Sequence, residues 1–343
     1  MRDMDMNCSS RIVLVWALLL LACGVEPRTP HPDASRAFQS CEGLAPSCGP
    51  GESCCTSLLV PGGSFLRSYD GHFGLDPGFP ASVSTFALDK YEVTVGRFRR
   101  FVEAGRGTQA LPPAPGSGAR MVNGVLYGWQ ELWTSELEED PVAFVDRLRG
   151  EDLPLAEFRT WRDEISDDDD RPINGVTWYE ALAFCIWDGG YLPTEAEWNY
   201  ASAGGAEQRV FPWSEPPSST SIDATRASYQ EIDGCWGDGR PACEPSDILT
   251  VGSRPAGNAR WGHSDLAGNL LEWVLDVYGE YEIPCVDCAR LASDEPMDRS
   301  IRGGGFGSPS IEHVMSSMRE GETPGTRGPR QGIRCARPGV QLE

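Results

Sequence analysis

Helix and strand breakers are spread so densely through this chain that long regular elements have almost nowhere to form. Glycine occurs 39 times and proline 27 times in 343 residues. Glycine is entropically costly inside an element, and proline lacks the backbone donor that helices and sheets need. A helical bundle is therefore excluded, and an α+β architecture of short strands, turns and few helices is expected. Hydrophobic residues make up 40% of the chain and include 11 tryptophans, which argues for a substantial core. Charge excludes a further class. The 51 acids and 29 bases leave a net charge of −22, and Lys90 is the only lysine. Phosphate binding needs a basic face, so no nucleic-acid partner is expected.

The run Ile12 to Ala22 is apolar throughout. It is shorter than the roughly 20 residues of a bilayer-spanning helix, so residues 1–22 read as a signal peptide. Leu20-Leu21-Ala22-Cys23 resembles a bacterial lipoprotein box. That implies cleavage before Cys23, lipidation of its thiol and attachment to the cell envelope, at the outer membrane or the periplasmic face. Residues 23–40, which contain several prolines, read as a tether.

Apart from Cys8 and Cys23, ten cysteines remain. An even number in an exported chain favours disulfides. Cys235 with Cys243, and Cys285 with Cys288, are natural local pairs. Cys41, Cys48, Cys54 and Cys55 would form a small knot over residues 41–56, with the pairing of its two bridges left open. Zinc would need a second Cys-x-x-Cys pair, which is absent from the sequence. A redox role for Cys285 and Cys288 would need a group that lowers a thiol pKa, and no helix start adjoins them.

Along the remaining chain, Val83 to Tyr91 reads as strand. Thr94 caps a helix whose Val95, Phe98, Phe101 and Val102 share one face, with Gly105 as its stop. Residues 131–170 hold 15 acids and 4 bases, which predicts a solvated acidic insertion rather than a core element. Its Asp167 to Asp170 run lacks the spacing and glycine of a calcium loop. Thr177 with Glu180, and Thr194 with Glu197, are capping boxes opening two further helices. Short strands are expected at Ser300 to Phe306 and Gly332 to Arg337.

The ordered motifs carry a resemblance. They are Val60-Pro61-Gly62-Gly63-Ser64-Phe65, Asp89-Lys90-Tyr91-Glu92-Val93-Thr94, Arg171-Pro172-Ile173-Asn174-Gly175-Val176-Thr177-Trp178 and Tyr191-Leu192-Pro193-Thr194-Glu195-Ala196-Glu197-Trp198. Phe211-Pro212-Trp213, Asp265-Leu266-Ala267-Gly268-Asn269-Leu270-Leu271-Glu272-Trp273, Arg302-Gly303-Gly304-Gly305-Phe306 and Gly332-Ile333-Arg334-Cys335-Ala336 complete them. In this order they resemble the formylglycine-generating enzyme, or sulfatase-modifying factor, family. The resemblance implies one C-type-lectin-like α+β domain with little regular secondary structure over residues 57–338. It also implies a long-range disulfide between Cys185 and Cys335.

The same resemblance sets expectations for chemistry. Active members oxidise a substrate cysteine with O₂ through two cysteines just after the Gly-Gly-Ser strand. Two thiolates suit Cu(I). Here Ser308 and His313 stand at the two cysteine positions and Gly305 stands at the serine, so copper-thiolate chemistry is not expected. A ligand groove around Arg302, Phe306, Ser308 and His313 is expected instead, for a peptide or glycan. A family calcium site falls on Asp265, Gly268, Leu270 and Glu272, a set of hard oxygen donors. A second family calcium site falls in Ser228 to Asp247, which aligns poorly and is not assigned. Copper or iron is not expected; an iron centre would need His72, His263 and His313 to converge. Ser308 or Ser310 with His313 as base lacks a nucleophile elbow. The expected function is an anchored, non-catalytic binding module, with a metal-dependent oxidase of the same family as the alternative.

Overall fold

The computed structural model describes residues 38–150, 156–231, 234–291 and 297–339. The signal peptide and nearly all of the tether fall outside these residues. In chain order, β1 (Ser57–Val60), β2 (Gly63–Leu66), β3 (Pro80–Val83) and β4 (Phe86–Asp89) precede α1 (Val95–Glu103). The hairpin of β5 (Arg120–Val122) and β6 (Val125–Tyr127) leads to α2 (Pro141–Arg149), α3 (Trp178–Trp187) and α4 (Glu195–Ser202). Then follow β7 (Gln230–Glu231), β8 (Gly234–Cys235), β9 (Leu271–Val277), β10 (Cys285–Val286), β11 (Arg299–Arg302), β12 (Glu320–Glu322), β13 (Gln331–Gly332) and β14 (Ala336–Pro338).

Three small sheets organise the domain, with strand orders β1-β4-β14, β10-β3-β2 and β12-β11-β9-β13. The predicted strand at Val83 to Tyr91 shortens to β4, because the chain turns after β3 at Ser84 and Thr85. β11 stops at Arg302, where Gly303 and Gly304 take left-handed φ of 94° and 62° that few other residues tolerate. The expected strand at the C-terminal end splits into β13 and β14. All three predicted N-caps form. The Thr94 side chain accepts from the Arg97 amide, and Thr177–Glu180 and Thr194–Glu197 close complete capping boxes.

The acidic insertion departs from its expectation. Trp133, Leu137, Phe144, Leu148 and Trp161 all join the main hydrophobic core beside Phe98, Trp178 and Trp273. The described acids of residues 131–170 face outward or pair, as Asp169 does with Arg99 at 2.8 Å. The segment is thus a wrapped layer of the core: its spaced aromatics decide its placement and its charge decides only its outer face.

Five disulfides lock these pieces. Cys185–Cys335 ties α3 to the residue before β14 across a separation of 150 residues. Cys235–Cys243 and Cys285–Cys288 are local. The knot pairs Cys41 with Cys55 and Cys48 with Cys54. It packs on the domain, where Tyr91 and Val251 cover the second bridge; just before it Ser40, the last residue of the expected tether, is buried and donates its amide to Asp188.

Candidate functional site

The segment after β11 occupies the place where the resemblance puts the reactive cysteines. Its turn brings the Ser308 hydroxyl to 2.9 Å from the Gly305 amide, from which it accepts. The Ser308 amide donates back to the Gly305 carbonyl at 3.0 Å. Ser308 has no exposed surface. Five residues on, His313 is half-buried, and its Nδ1 lies 3.0 Å from the Ser310 hydroxyl within a single 3₁₀ turn. Ser308 and His313 are therefore each satisfied locally.

The expected ligand groove around this segment is not what the structure places here. Arg302 is 1% exposed. Its guanidinium donates to Glu195 at 2.6 Å, to Tyr281 and Ser68, and to the carbonyls of Ser316, Ser317 and Met318. Phe306 is buried and stacks on Phe158 with centroids 5.5 Å apart. Phe158 belongs to the acidic insertion, which therefore roofs the loop. Asn174 pins this roof by donating to the carbonyls of Phe158 and Pro329. A buried cation and a stacked ring cannot greet a ligand without opening the fold, so only His313 of the four retains exposure. The role of Phe158 was missed because it lies in a segment read as solvated.

Glu195 shows how tightly this core is compensated. Burial alone would push its carboxyl up, but Arg302 and Arg319 hold it at about 2. Asp276, which accepts from the Glu195 and Arg290 amides, is raised to about 7 by burial and by the Glu195 charge.

The expected calcium residues sit in a second polar centre. Asp265 and Asn269 both hold left-handed backbone, with φ of 60° and 64°. The Asp265 carboxylate accepts from the Gly252 amide at 2.7 Å. Glu272, however, is taken up. Both of its oxygens accept from Arg334, at 2.6 to 2.9 Å, and one also accepts from Trp198 Nε1 at 2.6 Å. Glu272 is thus ion-paired with Arg334 through both oxygens. The acid that sequence reasoning missed is Glu92, which accepts from the Asn269 side chain and the Leu270 amide. Buried Glu92 and Glu272 and half-buried Asp265 thus gather around Arg334, with Arg254 also acting on Asp265. Burial, Asp265 and Glu272 push Glu92 well above the carboxylate range, and burial with Glu272 raises Asp265 to about 6. This concentration of carboxylates suits a hard divalent cation in its chemistry.

The three histidines considered for iron lie apart in kind. His263 is fully buried beside the Leu58 and Leu88 backbone, its ring nitrogens without hydrogen-bond geometry to either. His72 is exposed and His313 half-buried. Among the described residues, the one acid–thiol cluster of metal-binding size is Cys48, Cys54 and Asp170. Its two sulfurs are already joined as a disulfide.

The open groove lies elsewhere, across the β10-β3-β2 sheet. It measures about 550 Å³. Phe65, Ala81, Ser82, Gln208, Ile283 and Cys285 are among the residues that line it. Gln208 accepts from the Leu66 amide and donates to the Leu66 carbonyl, so it caps the edge of β2 as a strand would.

Comparison with known proteins follows the same lines. The sulfatase-modifying factor enzyme 1-like domain model matches residues 46–338. An inactive C-alpha-formylglycine-generating enzyme 2 from Bos taurus is 29% identical, over 81% of this chain and 87% of its own length. A formylglycine-generating enzyme from Bos taurus is 27% identical, over 93% of this chain and 86% of its own. The structure of PvdO from Pseudomonas aeruginosa superposes with a TM-score of 0.53 at 20% identity, covering 82% of this chain and 94% of that one.

Proposed function

We propose that this chain, which belongs to the sulfatase-modifying factor (formylglycine-generating enzyme) family, is a non-catalytic binding module held at the cell envelope by a lipid on Cys23. The observation that carries this reading is Ser308, buried and hydrogen-bonded to Gly305 where active relatives use a cysteine. A hydroxyl with an ordinary alcohol pKa cannot serve as a soft copper ligand, and His313 supplies no second thiolate. Likeness to a relative named inactive supports the same reading. The peptide or glycan ligand expected from the sequence moves from the buried Arg302 and Phe306 to the open sheet groove. Its apolar lining, which includes Phe65, Ala81 and Ile283, favours an extended peptide over a glycan.

Calcium, held by Asp265 and the carbonyls of Gly268 and Leu270, would balance Glu92 and Asp265 and fasten the turn before β9. Its role there is structural.

A metal-dependent oxidase is the second reading, favoured by the partial exposure of His313. Elemental analysis separates the two. The mature, disulfide-intact protein is equilibrated with calcium, copper and iron and then desalted. Calcium alone supports the module. One tightly held copper or iron per chain, lost in His313→Ala, overturns it. Labelling with a radioactive fatty acid that disappears in Cys23→Ala tests the anchor.

A further inference from the structure

The Cys285–Cys288 bridge stands apart from the other four in its electrostatic setting. Cys285 is 3% exposed and lines the open sheet groove, in register with Ala81 of β3. Cys288 lies behind it, in contact with Arg67. The Arg67 Nη1 donates toward Cys288 Sγ at 3.5 Å, and Nη2 donates to the Glu282 carbonyl at 2.6 Å.

Arg67 is 4% exposed, stacks 4.2 Å over the Tyr281 ring, and leaves Nε without a partner. Glu195 and Asp276 act on it only at a distance, and Arg319 opposes them. Among the described residues no carboxylate reaches ion-pair distance of this guanidinium. The nearest acid in sequence to the sulfurs, Asp287, is drawn away onto the Ser84 amide and hydroxyl at 2.6 and 2.7 Å. A buried cation without an anion is costly, and a thiolate at Cys288 would supply the anion.

We propose that Cys285–Cys288 is a thiol–disulfide exchange site whose reaction is directed by Arg67. A thiolate entering the groove attacks Cys285 Sγ. The new S–S bond forms there, the Cys285–Cys288 bond breaks, and its electron pair leaves on Cys288 as a thiolate beside Arg67. A second thiolate from the same dithiol partner then displaces Cys285. The partner is oxidised to a disulfide, this pair is reduced to two thiols, and the partner's two protons are accounted for on the reduced pair. A low-pKa leaving group speeds such exchange, and the cation provides it.

Among the described residues no other bridge has a guanidinium donating to its sulfur; Cys41–Cys55 meets the Ser40 hydroxyl instead. Cys185–Cys335 is sealed in the core. Cys48–Cys54 faces the Asp170 carboxylate, which disfavours a thiolate. Cys243 is exposed, so access alone would favour Cys235–Cys243. Charge and access therefore predict different bridges.

The test treats the folded, fully oxidised protein with limiting glutathione or, separately, with an apolar cysteine peptide. Alkylation and peptide mass mapping then locate the adducts. The expected result is a mixed disulfide on Cys285 and not Cys288, appearing before any opening of Cys235–Cys243. Arg67→Gln should slow this bridge by about tenfold and leave Cys235–Cys243 unchanged, while Arg67→Lys retains most of the rate. A peptide rate well above the glutathione rate assigns the thiol to a protein segment seated in the groove; equal rates assign it to a small thiol. Adducts on Cys288, or earlier opening of Cys235–Cys243 in the parent protein, would overturn the proposal even if the Arg67 variants fail to fold.

Discussion

The Ser308 hydroxyl accepts from the Gly305 amide at 2.9 Å in a turn closed to solvent. That bond converts the position from a reactive one into a structural one. Ser308→Ala leaves a buried donor unpaired and should cost about 1–3 kcal/mol of stability. Urea unfolding measures it. A variant as stable as the parent would mean that Ser308 does not hold this turn.

Calcium should act on stability through Asp265. With the proposed cation removed by chelation, Glu92 and Asp265 would face Arg334, which already holds Glu272, and Asp265 would have only Arg254 besides. A ligand bound only to the folded state stabilises by about 2.7 kcal/mol at a hundredfold excess over its Kd. The melting temperature should therefore rise with calcium and fall with chelator, and Asp265→Asn should abolish most of the response. An equal calcium shift in that variant would place the cation elsewhere.

His263 should shape the acid limb of the stability curve. Burial first, and then the Arg334 charge, lower its pKa to about 3 from an ordinary 6.5. The unfolded chain therefore takes up a proton that the folded chain refuses. Stability from this site is complete above about pH 6.5 and drains away as pH falls toward 3, by a few kcal/mol in all. Glu195, held at about 2, loses its contribution only at lower pH, while Asp276, raised to about 7, works in the opposite direction. The difference between His263→Leu and the parent isolates the histidine. It should narrow steadily in the variant's favour from pH 6.5 downward; a difference independent of pH would contradict the assignment.

What could be read in the sequence was local or already paired by pattern. Thr177 with Glu180 and Thr194 with Glu197 announce their helix starts because the hydrogen bonds close within four residues. Cys235–Cys243 and Cys285–Cys288 are short loops for the same reason. Family likeness, not spacing, supplied Cys185–Cys335. The acidic insertion was misjudged because its charge outnumbers its apolar residues, although Trp133, Phe144, Leu148 and Trp161 settle its position. Arg302 was placed at a groove because the resemblance puts substrate contact at the end of its strand, yet its partner Glu195 lies 107 residues away. The contact of Arg67 with Cys288 spans 221 residues, and no local signal announces it. The pairing of Glu272 with Arg334 was hidden likewise: each belongs to a recognised motif, and only the fold joins them.

Peptide conversion reads out the loss of the thiolate pair. The mature protein, loaded with Cu(I) and supplied with O₂, is incubated with a Cys-x-Pro-x-Arg peptide and the peptide mass is followed. With Ser308 and His313 in the two positions, the cysteine should stay unconverted while an active family member converts it under the same conditions. Formation of the aldehyde product by this chain would contradict the account.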